Sequence, residues 1–180
     1  KPILEHILAM LLRAQIKDVI ISIGYLGSKI KDYFGDGARF GVRITYLEEE
    51  KRLGSAGPLR LAKNFLTEPF LLTAGDTLAR INFDDFYQFH RQTGGSPRGE
   101  AGWATMALVA ADDPHRYGVV RMRGTLILDF EEKPSKKTTE PKLINAGVYI
   151  LDPRVIRFIK PGFSMLEDTV FPKLARENKL

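Results

Sequence analysis

Apolar residues recur along this chain with two different periods, and the change from one to the other divides it. Ile3, Leu4, Ile7, Leu8, Leu11 and Leu12 lie at helical spacing behind Pro2, a residue suited to a first helical turn. Val19-Ile20-Ile21-Ser22-Ile23 followed by Gly24 predicts a largely buried strand with one polar member. Leu26 to Phe34 predicts a short amphipathic helix, stopped by Gly35-Asp36-Gly37, and Val42 to Tyr46 alternates as a β-branched strand. A helix over Pro58 to Phe65, a strand over Phe70 to Thr73 and a helix over Phe83 to Thr93 follow, before the loop Gly94-Gly95-Ser96-Pro97. Strand and helix alternate here, which predicts a parallel sheet with right-handed crossovers.

The grammar then changes. Ala104 to Ala110, Gly118 to Met122, Leu126 to Phe130 and Leu143 to Leu151 predict strands joined by short turns, read as antiparallel or mixed additions to the first sheet. Helical segments over Ile156 to Ile159 and Thr169 to Asn178 close the chain, with no internal repeat, low-complexity tract or linker. A length of 180 residues suits one domain able to bury a sizeable core.

Composition narrows the chemistry. Apolar and charged fractions of 44% and 27% are those of a soluble globular protein, and no apolar run is long enough to span a membrane. Cysteine is absent, which excludes disulfides, thiolate catalysis and Cys-ligated zinc and fits a cytoplasmic setting. The net charge of +5 is spread through the chain, with only a loose cluster at Lys133, Lys136, Lys137 and Lys142. A nucleic-acid footprint calls for a concentrated stripe, whereas a dispersed basic excess is compatible with small polyanions. His6, His90 and His115 are far apart and offer no nucleophile–base pair.

Four segments carry candidate chemistry. Leu71-Leu72-Thr73-Ala74-Gly75-Asp76 is an apolar run ending in a glycine and a carboxylate, and ligands of open α/β sheets sit beyond such strand ends. Asp76 there can reach a phosphate-bound cation, or it is an ordinary turn aspartate. The loop Glu48-Glu49-Glu50-Lys51-Arg52-Leu53-Gly54-Ser55-Ala56-Gly57 opens a helix at Pro58. Its small residues let a ring or phosphate approach free backbone amides, or simply start a helix. Tyr117-Gly118 begins a strand, and Glu131-Glu132-Lys133-Pro134 ends the next one. Asn145-Ala146-Gly147-Val148 places an amide within an apolar strand, and a buried amide needs partners.

In this order the segments resemble the sugar-phosphate nucleotidyltransferase family, most of all its mannose-1-phosphate guanylyltransferases, over essentially the whole chain. The resemblance implies a Rossmann-like three-layer α/β/α domain with a mixed, mainly parallel central sheet. Lys1-Pro2 is similar to the end of the family's glycine-rich signature, which makes Lys1 a phosphate contact. Glu50, Leu53, Gly54, Ser55 and Ala56 resemble the loop that holds the base, and Gly75 and Asp76 the Gly-Asp pair whose aspartate binds Mg²⁺. Gly118, Glu132, Lys133, Asn145 and Gly147 match the sugar-phosphate pocket, where the acid and the amide meet hydroxyls and the lysine meets phosphate. Phe163 to Leu174 also resembles a family segment, with Glu167 and Pro172 in familiar positions. Arg52 stands where proline is frequent.

The implied partners are a nucleoside triphosphate, GTP favoured, and a sugar 1-phosphate, mannose 1-phosphate favoured. Neither nucleic acid nor a membrane is implied, and a homo-oligomer is allowed. The glycine-rich loop and a second metal aspartate have no counterpart in these residues, so the expectation is a catalytic domain lacking both ends of its apparatus and nearly inactive alone. The alternatives are a non-catalytic regulatory or scaffolding relative and a glycosyltransferase. The last would want an Asp-X-Asp motif after a strand; Asp84-Asp85 and Asp112-Asp113 do not supply it.

Overall fold

The computed structural model describes residues 1–92, 102–113, 117–132 and 142–180. The amino-terminal part is built as its periodicity predicts. α1 (Ile3–Arg13) buries Ile7, Leu8 and Leu11 along one stripe. β1 (Asp18–Ile23) and β2 (Arg43–Glu48), separated by α2 (Gly27–Phe34), pair in parallel from Asp18 opposite Arg43 to Ile23 opposite Glu48. Phe34 and Val42 join the buried stripe of α1 in one apolar cluster.

The later strands form a second sheet. β3 (Phe70–Thr73), β4 (Ala104–Ala111), β5 (Gly118–Arg123), β6 (Leu126–Glu132) and β7 (Lys142–Leu151) make five strands centred on β7. α3 (Gly57–Leu61), continued as a 3₁₀ turn over Ala62–Asn64, precedes β3, and α4 (Phe83–Gln92) follows it. The helix expected over Pro58 to Phe65 is therefore an α turn tightening into a 3₁₀ turn. After β7 comes a 3₁₀ helix, Pro153–Phe158, capped by Asp152, whose carboxylate accepts the Arg154 N–H. The final helical segment divides into a π turn, Leu166–Val170, and α5 (Phe171–Arg176), with Pro172 in the first turn of α5, where its missing N–H costs nothing. The core here is the larger of the two. Phe171, Val170, Leu174 and Leu151 are fully buried, and the Phe171 ring packs on Phe130 and Tyr149 at centroid distances of 5.5 and 5.0 Å.

The α/β class is as expected, but the described strands form two sheets, one parallel and one antiparallel, where additions to a single sheet were expected, and the parallel share is smaller than strand–helix alternation predicts. β1–β2 is the parallel ladder among the described residues, and every ladder to β7 is antiparallel, that of β3 included. The physical reason is that the third strand of the alternating part pairs with the returning β7 and not with β1. The second edges of β1 and β3 face a common cleft. No helix among the described residues is long and apolar enough to cross a membrane.

Candidate active site

β7 changes partners halfway along its length, and that change creates the site. Its last rung with β3 is Thr73 opposite Val148, and its rung with β5 is Val119 opposite Ile144. On the opposite edge, the register with β4 jumps from Met106–Tyr149 to Leu108–Asn145. The surplus backbone lies in Asn145-Ala146-Gly147, a bulge that bends the strand away from β3 and toward β5. Gly147 takes φ of +73°, a value costly for any residue with a Cβ. The Asn145 side chain fixes the bend: its Oδ1 accepts the Gly147 N–H at 2.9 Å and its Nδ2 donates to the Tyr149 hydroxyl at 2.7 Å. The amide expected to need partners finds them within its own strand.

The carboxyl end of β3 and the amino end of β5 thus meet along one edge of β7. The Ala74 N–H donates to the Gly147 carbonyl at 3.4 Å, and Thr77 N–H closes a turn onto the Ala74 carbonyl at 3.3 Å. This turn carries Gly75 and the exposed Asp76, and Thr77 packs on Gly147. A Cβ at position 75 would meet nothing within 4 Å, so that face is open to an approaching ligand. Across the bulge, Gly118 pairs with Glu132. A side chain at 118 would overlap the Phe130 ring and come within 2.9 Å of Glu132 Oε2. Gly118 is therefore required by packing, and it lets the Glu132 carboxylate lie across β5.

The loop from Glu49 to Gly57 is held by two distant partners. Glu49 accepts the Ser22 hydroxyl at 2.6 Å and the Leu53 N–H at 2.9 Å, pinning the loop to β1. The Ser164 carbonyl accepts the Ala56 N–H at 2.9 Å and the Gly57 N–H at 3.3 Å, while the Ser164 N–H donates to the Leu53 carbonyl. Gly54 has φ of +79°, and a Cβ there would lie 2.5 Å from the Ser164 carbonyl oxygen. Ser55 donates its hydroxyl to Glu167 at 2.6 Å and accepts the Leu166 N–H at 2.9 Å. This corrects the expectation of free backbone donors: the amides of Leu53, Ala56 and Gly57 are already taken by protein acceptors.

Tyr149 connects the bulge to this loop. Burial pushes its hydroxyl well above the usual phenol range; the Asn145 hydrogen bond opposes that, and the nearby carboxylates of Glu167 and Glu132 add to it. Glu49, Gly54, Ser55, Gly75, Gly147, Tyr149 and Glu167 line one continuous cleft.

Of the expected site residues, the structure brings together Gly54, Ser55, Gly75 and Gly147 on the cleft, with Asp76, Asn145, Gly118 and Glu132 around the bulge. Leu53 and Ala56 act as loop supports. Glu50 is exposed and outside the cleft lining, and Glu49 is the loop carboxylate that makes contacts. Lys1 Nζ pairs with Glu5 at 2.8 Å, a contact that raises its pKa; the Tyr33 hydroxyl holds the other Glu5 oxygen at 2.8 Å. Lys133 lies outside the described residues. Glu49, Thr77 and Tyr149 have site roles that the sequence did not single out. The available signal was faint: a hydroxyl four residues after an in-strand asparagine, and three successive glutamates with nothing to choose among them.

Among the described residues no three His, Cys, Asp or Glu side chains cluster as a metal cage. The exposed carboxylate of Asp76 beyond a strand end does fit Mg²⁺, which takes one or two protein carboxylates and completes its shell with water and phosphate oxygens.

The nucleotidyl transferase family profile matches residues 1–178. The chain is 33% identical to a Danio rerio mannose-1-phosphate guanylyltransferase catalytic subunit beta, covering 100% of this chain and 49% of that protein. It is 34% identical to mannose-1-phosphate guanyltransferase 2 of Candida glabrata, with the same coverage. The chain thus spans about half the length of these relatives. Among solved structures, a Bacillus anthracis protein described as a glucose-1-phosphate thymidylyltransferase, bound to sucrose, superposes with TM-score 0.84 at 25% identity, over 99% of this chain and 72% of that one. A UDP-glucose pyrophosphorylase bound to UDP-glucose shares the fold at TM-score 0.76 and 18% identity, over 100% of this chain and 77% of that one.

Proposed function

From the premise that this chain belongs to the nucleotidyl transferase family, we propose that its site joins a sugar 1-phosphate to a nucleoside triphosphate, with GTP and mannose 1-phosphate as preferred substrates. A phosphate oxygen of the sugar 1-phosphate attacks the α-phosphorus in line, the bond from that phosphorus to the bridging oxygen breaks, and pyrophosphate leaves with the bond's electrons. Such transfers need positioning and charge neutralisation and little covalent help from the protein.

The observation that supports this reading is the convergence at the β7 bulge of a strand-end carboxylate, a second carboxylate lying over a glycine, and a loop clamped by Ser164 and Glu167. Asp76 would hold Mg²⁺, which supplies Lewis-acid stabilisation of the phosphate oxygens when bound. Glu132 and Asn145 would face the sugar. An amide carries two N–H donors and two lone pairs, so Asn145, having used one of each on Tyr149 and Gly147, keeps one of each for a hydroxyl. The loop from Leu53 to Ala56 would seat the base. Lys1 and Lys133 would neutralise phosphates, Lys1 after leaving Glu5.

The test is pyrophosphate release by the full-length protein, with GTP, UTP and dTTP each paired with mannose 1-phosphate and glucose 1-phosphate in the presence of Mg²⁺. GTP with mannose 1-phosphate should turn over fastest, and Asp76→Asn should lower kcat by about 10²–10³. Nucleotide binding without pyrophosphate release from any pair would favour the scaffolding alternative and overturn the proposal.

A further inference from the structure

Two stacked aromatic rings gather an excess of positive charge at the end of β7 remote from the bulge. Trp103, the one tryptophan in the sequence, sits just ahead of β4 and is 7% exposed. Its ring stacks on Phe158 of the 3₁₀ helix at a centroid distance of 5.8 Å and an interplanar angle of 22°. Arg154 and Arg157 of that 3₁₀ helix and Lys179 beyond α5 stand over the indole, 4.6, 4.1 and 4.1 Å from its centroid. Arg157 and Lys173 of α5 stand over Phe158 at 4.9 and 4.1 Å. Attraction to the ring quadrupole holds each cation in place. It does nothing for their mutual repulsion, because these distances keep neighbouring charges within a Debye length of about 10 Å.

Carboxylates answer only half of this charge. Asp152 takes Arg154 at 2.8 Å, and Glu177 takes Lys179 at 2.5 Å. Glu177 feels the excess: its pKa is lowered, chiefly by the Lys179 hydrogen bond, with the charges of Lys179, Lys173 and Arg157 adding to the pull. Arg157 and Lys173 are exposed, and neither has a carboxylate partner among the described residues. The Trp103 indole N–H finds no acceptor among them either. A guanidinium held over two rings is pre-organised, so it loses little freedom when it receives a carboxylate. Tryptophan and arginine are also the residues that most often anchor protein interfaces.

The apolar floor decides the kind of ligand. A free phosphate would use the charges and leave the rings idle. A chain segment with two neighbouring carboxylates engages both, its acids on Arg157 and Lys173 and its carbon atoms on Phe158. We propose that the Trp103–Phe158 patch is a docking surface for an acidic segment of a partner protein, with Arg157 and Lys173 as the receiving cations. The patch shares no residue with the cleft of the candidate active site, so the proposal stands apart from the substrate reading.

The experiment follows the Trp103 indole N–H resonance of the full-length protein while a blocked peptide of alternating aspartate and alanine is added at low salt. The resonance should shift saturably, the affinity should fall as salt rises, and an asparagine–alanine peptide should leave the signal in place. Arg157→Gln combined with Lys173→Gln should raise Kd by about tenfold or more. Arg157→Lys keeps the charge without the planar fork and should raise Kd by about threefold, which preserves the test if the double variant does not fold. An unmoved resonance, or equal affinity in the variants, would overturn the proposal. So would saturation by inorganic phosphate at lower concentration than the peptide, which would make this a free-anion site. A shift produced by raising the protein concentration alone would assign the patch to a second copy and overturn it equally.

Discussion

The α1–β1–α2–β2 unit and the sheet around β7 are built in opposite ways. The first is a parallel ladder over one cluster of Ile7, Leu8, Leu11, Phe34 and Val42, bounded by the cleft that β1 shares with β3. The second is antiparallel, with β7 engaged on both edges and a core that runs from Ala56 through Trp103 and Phe130 to Leu180. Leu71 of β3 packs against both the α1 cluster and the Phe86–Val148–Ile150 cluster beneath β7. The difference teaches where rigidity resides. The bulge that arranges Asp76, Asn145 and Glu132 belongs to the densely supported sheet, while the Glu49–Gly57 loop is also tethered to β1 through Ser22 and Glu49.

The contrast is sharpest in core truncations. Phe171→Ala removes a fully buried ring that supports Phe130 and Tyr149, and should cost about 3–5 kcal/mol in urea unfolding with loss of all tertiary signal. Leu8→Ala, at a residue 1% exposed, should cost about 2–5 kcal/mol, but hydrogen exchange should rise in β1 and β2 while β7 stays protected. If β7 exchanges as fast as β1 in that variant, the two regions are one cooperative unit and the comparison fails.

Smaller changes probe the joints between the regions. Gly54→Ala forces a Cβ into left-handed backbone and against the Ser164 carbonyl, and should lower stability by about 1–3 kcal/mol in denaturant titration. Tyr149→Phe leaves Asn145 Nδ2 without its acceptor inside the bulge. A loss of about 1 kcal/mol is expected, with an altered Gly147 amide resonance as the diagnostic sign.

The smallest effect concerns His90. This side chain on α4 is 1% exposed, with Nδ1 2.9 Å from the Thr105 hydroxyl and Nε2 unpartnered among the described residues. Burial lowers its pKa below the ordinary histidine value, against an opposing pull from Asp152. The unfolded chain therefore takes up the proton first, so stability is full above the unfolded pKa of about 6.5 and falls as pH drops below it. His90→Asn should flatten the pH dependence of Tm between pH 6.5 and 5; an identical slope in the variant would assign the acid sensitivity elsewhere.

Local pattern made much of this legible. Phe70–Thr73 is a strand with the bounds its apolar run predicts, α1 and β1 lie within a residue of expectation, and the claim that Asn145 needs partners is met by Gly147 and Tyr149. What stayed hidden depends on contacts remote in sequence. The amides of Ala56 and Gly57 read as free because their acceptor, the Ser164 carbonyl, comes from beyond β7. Three glutamates in a row look alike until the fold separates them: Glu48 faces Lys31, Glu49 turns to Ser22 and Leu53, and Glu50 leaves for solvent. The pairing of β3 was equally unreadable, because an apolar run of four residues bonds equally well to a parallel or an antiparallel neighbour.

Where β4 advances by one pleat, from Met106 to Leu108, β7 advances by two, from Tyr149 to Asn145. The surplus is even, so the alternation of inward and outward side chains keeps its phase from one end of β7 to the other. Deleting one residue between Asn145 and Val148 would invert that phase, turning buried Ile144 outward and bringing exposed Leu143 inward. Chain length in this short stretch is therefore held more tightly than the identity of a residue such as Ala146.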